Sequence, residues 1–348
     1  MTWEQHREQL AKEYAHPPVL AKDLPHELED RINYLPRYAR RADNMQVKLF
    51  EAAIAENTET DEPHAPPIHI INDIDDDLTP PYEFHYSNLM WHGEGVPKPD
   101  WENLRGCDCI GPCDPKSETC ICAQRHRQHF ESPGFLYDER GRLTSQGYPI
   151  FECNDLCRCS DDCINRVVQR GRKYPINICK TEDKGWGVFA GHKRIPANTY
   201  IGIYAGEYLT ESEAEERGVL YNKFGRTYLF DVDFWHLRVD DPNWTSKYSI
   251  DAYHAGNFTR YLNHSCDPNC SINAVYINEA NIDKPLLAIF TTRDVRPGDE
   301  LCFSYYGEDD DSDEDAPKSP HESICMPNDA VYRECRCGAA KCTGNMWR

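Results

Sequence analysis

The chain has 348 residues, 39% of them hydrophobic, with a formal net charge of −21 and 17 cysteines. Length and hydrophobic content suit a globular protein with a well-packed core, and the acidic balance argues against phosphate-backbone binding, which needs a surplus of Lys and Arg. No run of about 18 apolar residues is present, and "MTWEQHREQL" lacks the basic-then-apolar order of a secretory signal, so neither a membrane span nor export is expected. In the reducing compartment this implies, closely spaced cysteines point to metal rather than disulfides, and the negative charge favours a cationic partner such as a basic peptide.

In chain order, "EQHREQLAKEYA" and "MQVKLFEAAIAEN" carry apolar positions at three-to-four spacing, which predicts helices over residues 1–60, either packing material or a weakly ordered arm. The Pro-rich stretch 61–106 contains one short strand, "IHIIND", and the aromatic run "YEFHYSNLMWHGEGV", which needs a surface to pack on. A cysteine block occupies 107–163. From about residue 174 the pattern becomes short alternating runs, "PINICKT", "GWGVFA", "TYIGIYAGEYL", "TYLFDVDFW", "SINAVYIN", "PLLAIFTT" and "ELCFSYYG", which read as strands. One helix, "TESEAEERG", interrupts them, with Thr210 and Glu213 at capping-box spacing and Gly218 as its expected end. The acid run "EDDDSDED" at 308–315 predicts a self-repelling linker, followed by the tail "CRCGAAKCTGNMWR". The fold class is mainly β with short helices (α+β).

The block reads CxCx3Cx6CxC and then Cx3CxCx3C: Cys107, Cys109, Cys113, Cys120, Cys122, Cys153, Cys157, Cys159 and Cys163. A structural zinc takes four thiolates in a tetrahedron. Two isolated zincs leave one of the nine over, whereas three zincs sharing three bridging thiolates use all nine. The tail adds Cys335, Cys337 and Cys342, one short of a closed site, and spacing does not choose the fourth among Cys179, Cys266, Cys270, Cys302 and Cys325.

The ordered set "GWGVFA", "YAGEYL", "IDAYHAGNFTRYLNHSC", "ELCFSYYG" and "CRCGAAKC", preceded by the nine-cysteine block, resembles the SET-domain protein lysine methyltransferases of the suppressor-of-variegation class. The resemblance runs over roughly residues 80–348. It implies a SET-domain β-clip fold with a pseudoknot, flanked by zinc-binding pre-SET and post-SET segments. The implied division is an N-terminal helical or partly disordered arm at 1–80, a pre-SET region at 81–172, the SET domain at 173–307, an acidic linker at 308–330 and a post-SET tail at 331–348. The members resembled methylate lysine 9 of histone H3 from S-adenosylmethionine, and the lack of a chromodomain-like segment points to the shorter fungal type. The setting so implied is the nucleus, at heterochromatin. The histone H3 tail and chromatin-associated recruiting proteins would be partners, with no sequence-specific nucleic-acid binding and no membrane.

Methyl transfer from a sulfonium to an amine is an in-line displacement that needs alignment of the two groups and a deprotonated lysine, which burial and the nearby positive charge favour. An aromatic channel suits both demands and tolerates the methylated cation. The resemblance implies that Tyr305, in "FSYYG", is the catalytic tyrosine and that Tyr204 lines the same channel. It sets the cofactor against Lys184, Gly185, Trp186 and Gly187, with Asn263, His264, Arg260 and Tyr228 nearby and Trp347 closing over it. The peptide is expected to add as a strand beside "TYLFDVDF", Phe230 lining the lysine channel and Asp233 meeting the arginine before the target lysine. Phe303 stands where phenylalanine or tyrosine decides how many methyl groups are added, and the family often has Asp where Ser304 stands. The stretch "RYLNHSC" is implied to thread as a pseudoknot and to lend Cys266 to the tail zinc, with Cys270 the competing ligand. Two rival readings are a catalytically silent zinc-containing chromatin-binding module and methylation of another histone or non-histone lysine.

Overall fold

The computed structural model describes residues 5, 8, 9, 20–40, 42, 44–130, 134–224, 228–238, 244–305, 334–342 and 344. The expected linker at 308–330 and Trp347 lie outside these residues. The described chain is mainly β. Its strands are β1 (His69–Ile71), β2 (His85–Tyr86), β3 (Trp91–His92), β4 (Ile150–Phe151), β5 (Ile176–Lys180), β6 (Trp186–Ala190), β7 (Tyr200–Ile203) and β8 (Glu207–Thr210), then β9 (Leu229–Asp231), β10 (Tyr248–Asp251), β11 (Ala255–Gly256), β12 (Asn263–His264), β13 (Cys270–Tyr276), β14 (Leu286–Thr291) and β15 (Glu300–Phe303). One sheet runs β1-β5-β6-β15-β12, a second β3-β8-β10-β9 and a third β4-β13-β14-β7, with β2 and β11 as a separate pair.

Because the strands are short, each sheet gains stability from what it buries. Ile178, Val188, Ile195, Ile201, Ile250, Leu287, Ile289 and Leu301 are all fully buried, each contributing about 1.5–3 kcal/mol relative to exposure. Phe50, Ala53 and Ile54, one face of the helix Met45–Thr58, enter the same core as Ile176 and Ile178, and β1 pairs in parallel with β5. Behind them the buried Glu62 accepts the Arg172 N–H at 2.9 Å. Residues 45–71, expected within an arm, are thus built into the β core. The cysteine region is joined to the sheets in the same way: β4 pairs with β13, and Leu136, Tyr137, Leu143 and Val167 share a core with Val275, Ala288 and Phe290.

The helix expected to stop at Gly218 continues to Phe224. A Cβ at Gly218 would meet only Leu229 Cδ1, at 3.6 Å, and past it the buried Tyr221 stacks on Tyr253 at 4.8 Å and donates to Asp251 at 2.6 Å. That anchorage outweighs a glycine helix penalty of about 1 kcal/mol. Glu213 bonds Arg217, whose guanidinium also bridges the wholly buried Glu207 and Asp251 at 2.7 and 2.8 Å, tying the helix to β8 and β10.

Candidate active site and thiolate clusters

β12 and β15 pair in parallel, setting His264 opposite Phe303. The stitching continues on both sides: Ser265 N–H donates to the Phe303 carbonyl at 3.1 Å, Asn269 N–H to Cys302 at 3.2 Å, and Tyr305 N–H to His264 Nδ1 at 3.2 Å. The "NHSC" stretch is therefore locked against the strand that delivers Tyr305. The Tyr305 hydroxyl donates to the Leu262 carbonyl at 2.9 Å, and Tyr204 donates to the Tyr228 carbonyl at 2.8 Å. Ring centroids run Tyr204–Phe230 at 5.8 Å, Phe230–Phe303 at 6.1 Å and Phe303–Tyr305 at 5.0 Å, forming one aromatic wall. Each hydroxyl spends its proton on a carbonyl, so the remaining oxygen lone pairs are acceptors. Desolvation pushes both phenols above their ordinary range, with Cys302 the next cause for Tyr305 and Tyr305 itself for Tyr204. Both stay protonated at neutral pH.

The turn between β5 and β6 closes through Thr181 N–H to the Gly185 carbonyl at 2.7 Å, with Gly185 at φ +73°, a left-handed conformation that favours glycine. A Cβ at Gly187 would lie 2.7 Å from Glu300 Oε1 and 2.9 Å from Asn263 Nδ2. Only glycine fits there without displacing a polar pair. Asn263 donates to Glu300 at 2.8 Å and to the Trp186 carbonyl at 3.2 Å, while Lys184 forms an ion pair with the same Glu300. Lys184, Gly187 and Asn263, with the Trp186 carbonyl behind Asn263, thereby meet at a carboxylate that the sequence reading missed, while Gly185 shapes the turn and His264 faces Phe303 and Tyr305 instead. The only signal for Glu300 was an acid opening an otherwise apolar strand.

Arg260, a weaker candidate for the cofactor site, is buried. Its buried guanidinium lies 4.0 Å from the Phe84 ring and 4.1 Å from Tyr228, and its donors go to the carbonyls of Ala252 and Tyr253 and to the Tyr261 hydroxyl. The cation thus braces Tyr228 from behind. Among the described residues β9 lies at the edge of its sheet and pairs with β10 alone, and such an edge presents backbone groups that another strand can pair with. Asp233, just past β9, bonds Arg238 at 2.9 Å, so an arginine from the same chain meets this carboxylate.

Sulfur separations identify the chemistry of the cysteines. Cys107–Cys113 is 3.5 Å, Cys113–Cys153 3.8 Å, Cys122–Cys157 3.5 Å and Cys153–Cys163 3.9 Å. A disulfide needs about 2.05 Å, whereas thiolates at about 2.3 Å from one tetrahedral zinc lie about 3.8 Å apart. The donor set fits zinc. Three tetrads have every sulfur pair within 4.8 Å: Cys107, Cys109, Cys113 and Cys120; Cys107, Cys122, Cys153 and Cys157; and Cys107, Cys113, Cys153 and Cys159. Cys113 and Cys153 each occur in two tetrads and Cys107 in all three, so the tetrads overlap as one cluster with shared thiolates; Cys163 is in none of them, its sulfur 3.9 Å from that of Cys153. A fourth tetrad joins Cys266 to Cys335, Cys337 and Cys342, with Cys266 3.8 Å from Cys335. Cys270 instead opens β13, buried, its sulfur against Asn269 Oδ1.

Two known families match the chain, the SET domain over residues 185–306 and the Pre-SET motif over 60–166. A histone-lysine N-methyltransferase of Cryptococcus neoformans, H3 lysine-9 specific, is 40% identical in a gapped alignment of 360 positions that covers 86% of this chain. The chain spans only 20% of that relative's length. Among solved structures, the Neurospora SET domain protein DIM-5, a histone lysine methyltransferase, is similar with a TM-score of 0.61 and 33% identity, over 70% of this chain and 96% of that one. KRYPTONITE, solved in complex with DNA, an H3(1-15) peptide and SAH, is similar with a TM-score of 0.63 and 25% identity, over 81% of this chain and 51% of that one.

Proposed function

The chain belongs to the SET-domain family, in the branch that carries a Pre-SET motif, and from that premise we propose that it transfers methyl groups from S-adenosylmethionine to lysine 9 of the histone H3 tail. The observation that carries this reading is the aromatic wall of Tyr204, Phe230, Phe303 and Tyr305 on and beside β9, the edge strand of its sheet among the described residues. S-adenosylmethionine supplies an electrophilic methyl on a sulfonium, and the turn Lys184–Gly187 with Asn263 and His264 would hold it. The channel desolvates the incoming amine and favours its neutral form. The acceptor oxygens of Tyr204 and Tyr305 take its N–H groups and aim its lone pair, and the ring faces accept the cationic product.

In this reading β9 receives the histone tail by strand addition, and Asp233 exchanges Arg238 for the arginine that precedes the target lysine. The working division remains pre-SET, SET and post-SET, acting in the nucleus on chromatin with recruiting proteins. Tritiated methyl groups should enter an H3(1-15) peptide and fail to enter the same peptide with arginine in place of lysine 9. Label that persists without lysine 9 would move the activity to another lysine.

Product number depends on Phe303. A tyrosine there could hold a water or the amine by a hydrogen bond, restricting its rotation and leaving little room for a further methyl, whereas phenylalanine offers no such bond. The unmodified enzyme is expected to reach di- and trimethyl-lysine. Phe303→Tyr should shift products to monomethyl-lysine with the first transfer slowed less than about tenfold, and unchanged trimethylation by mass spectrometry would refute the assignment.

Metal content follows from the thiolate arithmetic. Three zincs on the nine cysteines and one on the Cys266 tetrad make about four per chain. Elemental analysis of active protein returning two or fewer would overturn the bridged cluster.

A further inference from the structure

We propose that a basic cleft at the seam between the cysteine-rich region and the β domain is an anion site that takes a single phosphate group. The cleft has a volume of about 160 Å³ and is lined by Arg140, Arg142, Lys173, Tyr174, Thr199 and Tyr200, among others. A single water needs only about 10–15 Å³ on the same measure, so the cleft has room for one tetrahedral oxyanion. Its walls come from the turn at Asp138–Arg142 and the start of β7, held together where the Leu143 N–H donates to the Asn198 carbonyl at 2.9 Å.

The charge is out of character for the chain. In a protein of net charge −21, no lining residue is acidic. Arg142 is pinned by Asp138 at 3.0 Å, but the exposed side chains of Arg140 and Lys173 have no hydrogen-bond or ion-pair partner among the described residues. Two of the nearby acids are engaged elsewhere: Glu62 takes the Arg172 N–H, and Glu152 takes the Tyr137 hydroxyl at 2.8 Å. Thr199, only 6% exposed, lines the cleft and has a buried hydroxyl with no partner among the described residues. Two unpaired cations in a cleft without an acidic lining residue are what an oxyanion completes, and arginine with lysine is the pairing suited to phosphate.

The overall negative charge repels a polyanion such as nucleic acid, while a single phosphate in the cleft meets the unpaired Arg140 and Lys173 at contact distance, where screening is least. The occupant is therefore an isolated phosphate, either free or as a monoester on a peptide side chain.

The test is isothermal titration of the intact chain, at constant ionic strength, with inorganic phosphate, a short phosphoserine peptide, its unphosphorylated counterpart and duplex DNA. Inorganic phosphate should bind saturably, and R140Q/K173Q should weaken it at least tenfold while methyl transfer stays unchanged. Both residues are exposed and outside the channel, so the fold is retained. A phosphopeptide that binds more tightly than free phosphate assigns the ester as the source, and equal affinity assigns the free ion. Non-saturating heats, unchanged binding by the double variant, or tighter binding of DNA per phosphate would each overturn the proposal.

Discussion

Tyr305→Phe is expected to lower kcat for methyl transfer by about 10²-fold or more while leaving the affinity for S-adenosylmethionine within about twofold. The hydroxyl donates to the Leu262 carbonyl at 2.9 Å, which fixes the ring and turns the oxygen lone pairs outward. Phenylalanine keeps the ring contacts with Phe303 and His264 but loses that acceptor, so an interaction made chiefly in the transition state goes while packing remains. The pH profile provides a second check. A free lysine amine titrates near about 10.4, so the wild-type rate should climb from about pH 7 to 9 as substrate loses its proton. Tyr305 is 36% exposed as a residue, but desolvation around its hydroxyl, which donates to the Leu262 carbonyl, holds the phenol above its ordinary value, so its ionisation should impose no falling limb in that range. Near-normal turnover by Tyr305→Phe removes the residue from this role, and a wild-type rate that falls over that range in stable enzyme contradicts the account of the amine.

Cys266→Ala is expected to cost one zinc per chain and at least about 10²-fold in turnover, with the nine-cysteine block and the overall fold intact. Cys266 is the one ligand of its tetrad outside the tail, and its sulfur lies 3.5 Å from His264 Nε2. His264 in turn accepts the Tyr305 N–H at 3.2 Å, so the metal site and the channel share one short path. Without the metal the segment holding Cys335, Cys337 and Cys342 loses its tie to the knot. Cys270→Ala is the matched control: it removes a buried sulfur outside the tetrad and should keep all the zinc. Zinc analysis alongside steady-state rates distinguishes the two, and full turnover by Cys266→Ala with one zinc fewer would show that closure of the tail is dispensable.

The parts of the site legible in the sequence are those carried by residue type and short spacing. Thiolate is a zinc ligand wherever it sits, so the nine-cysteine pattern announced a cluster before any fold was known. The glycines of "KGWG" announced a tight turn because backbone freedom is a property of the residue itself, and Gly185 does adopt a positive φ. The β runs from residue 174 onward were legible because a strand's alternation is local. What only the tertiary structure decided involves partners far apart in the chain. Glu300 meets Lys184 and Asn263 across two sheet pairings, and no local pattern reports that. The choice of Cys266 over Cys270 as neighbour of the tail depends on β13, which starts at Cys270 and buries its sulfur, while the Cys266 sulfur reaches those of Cys335, Cys337 and Cys342. The edge position of β9 is a matter of sheet order, invisible in its own three residues. The helix runs through Gly218 because the buried Tyr221 beyond it finds Asp251, and the face of Phe50, Ala53 and Ile54 joins the β core because Ile176 and Ile178 lie there to receive it. Local preferences amount to about 1 kcal/mol, and a few buried long-range contacts outweigh them.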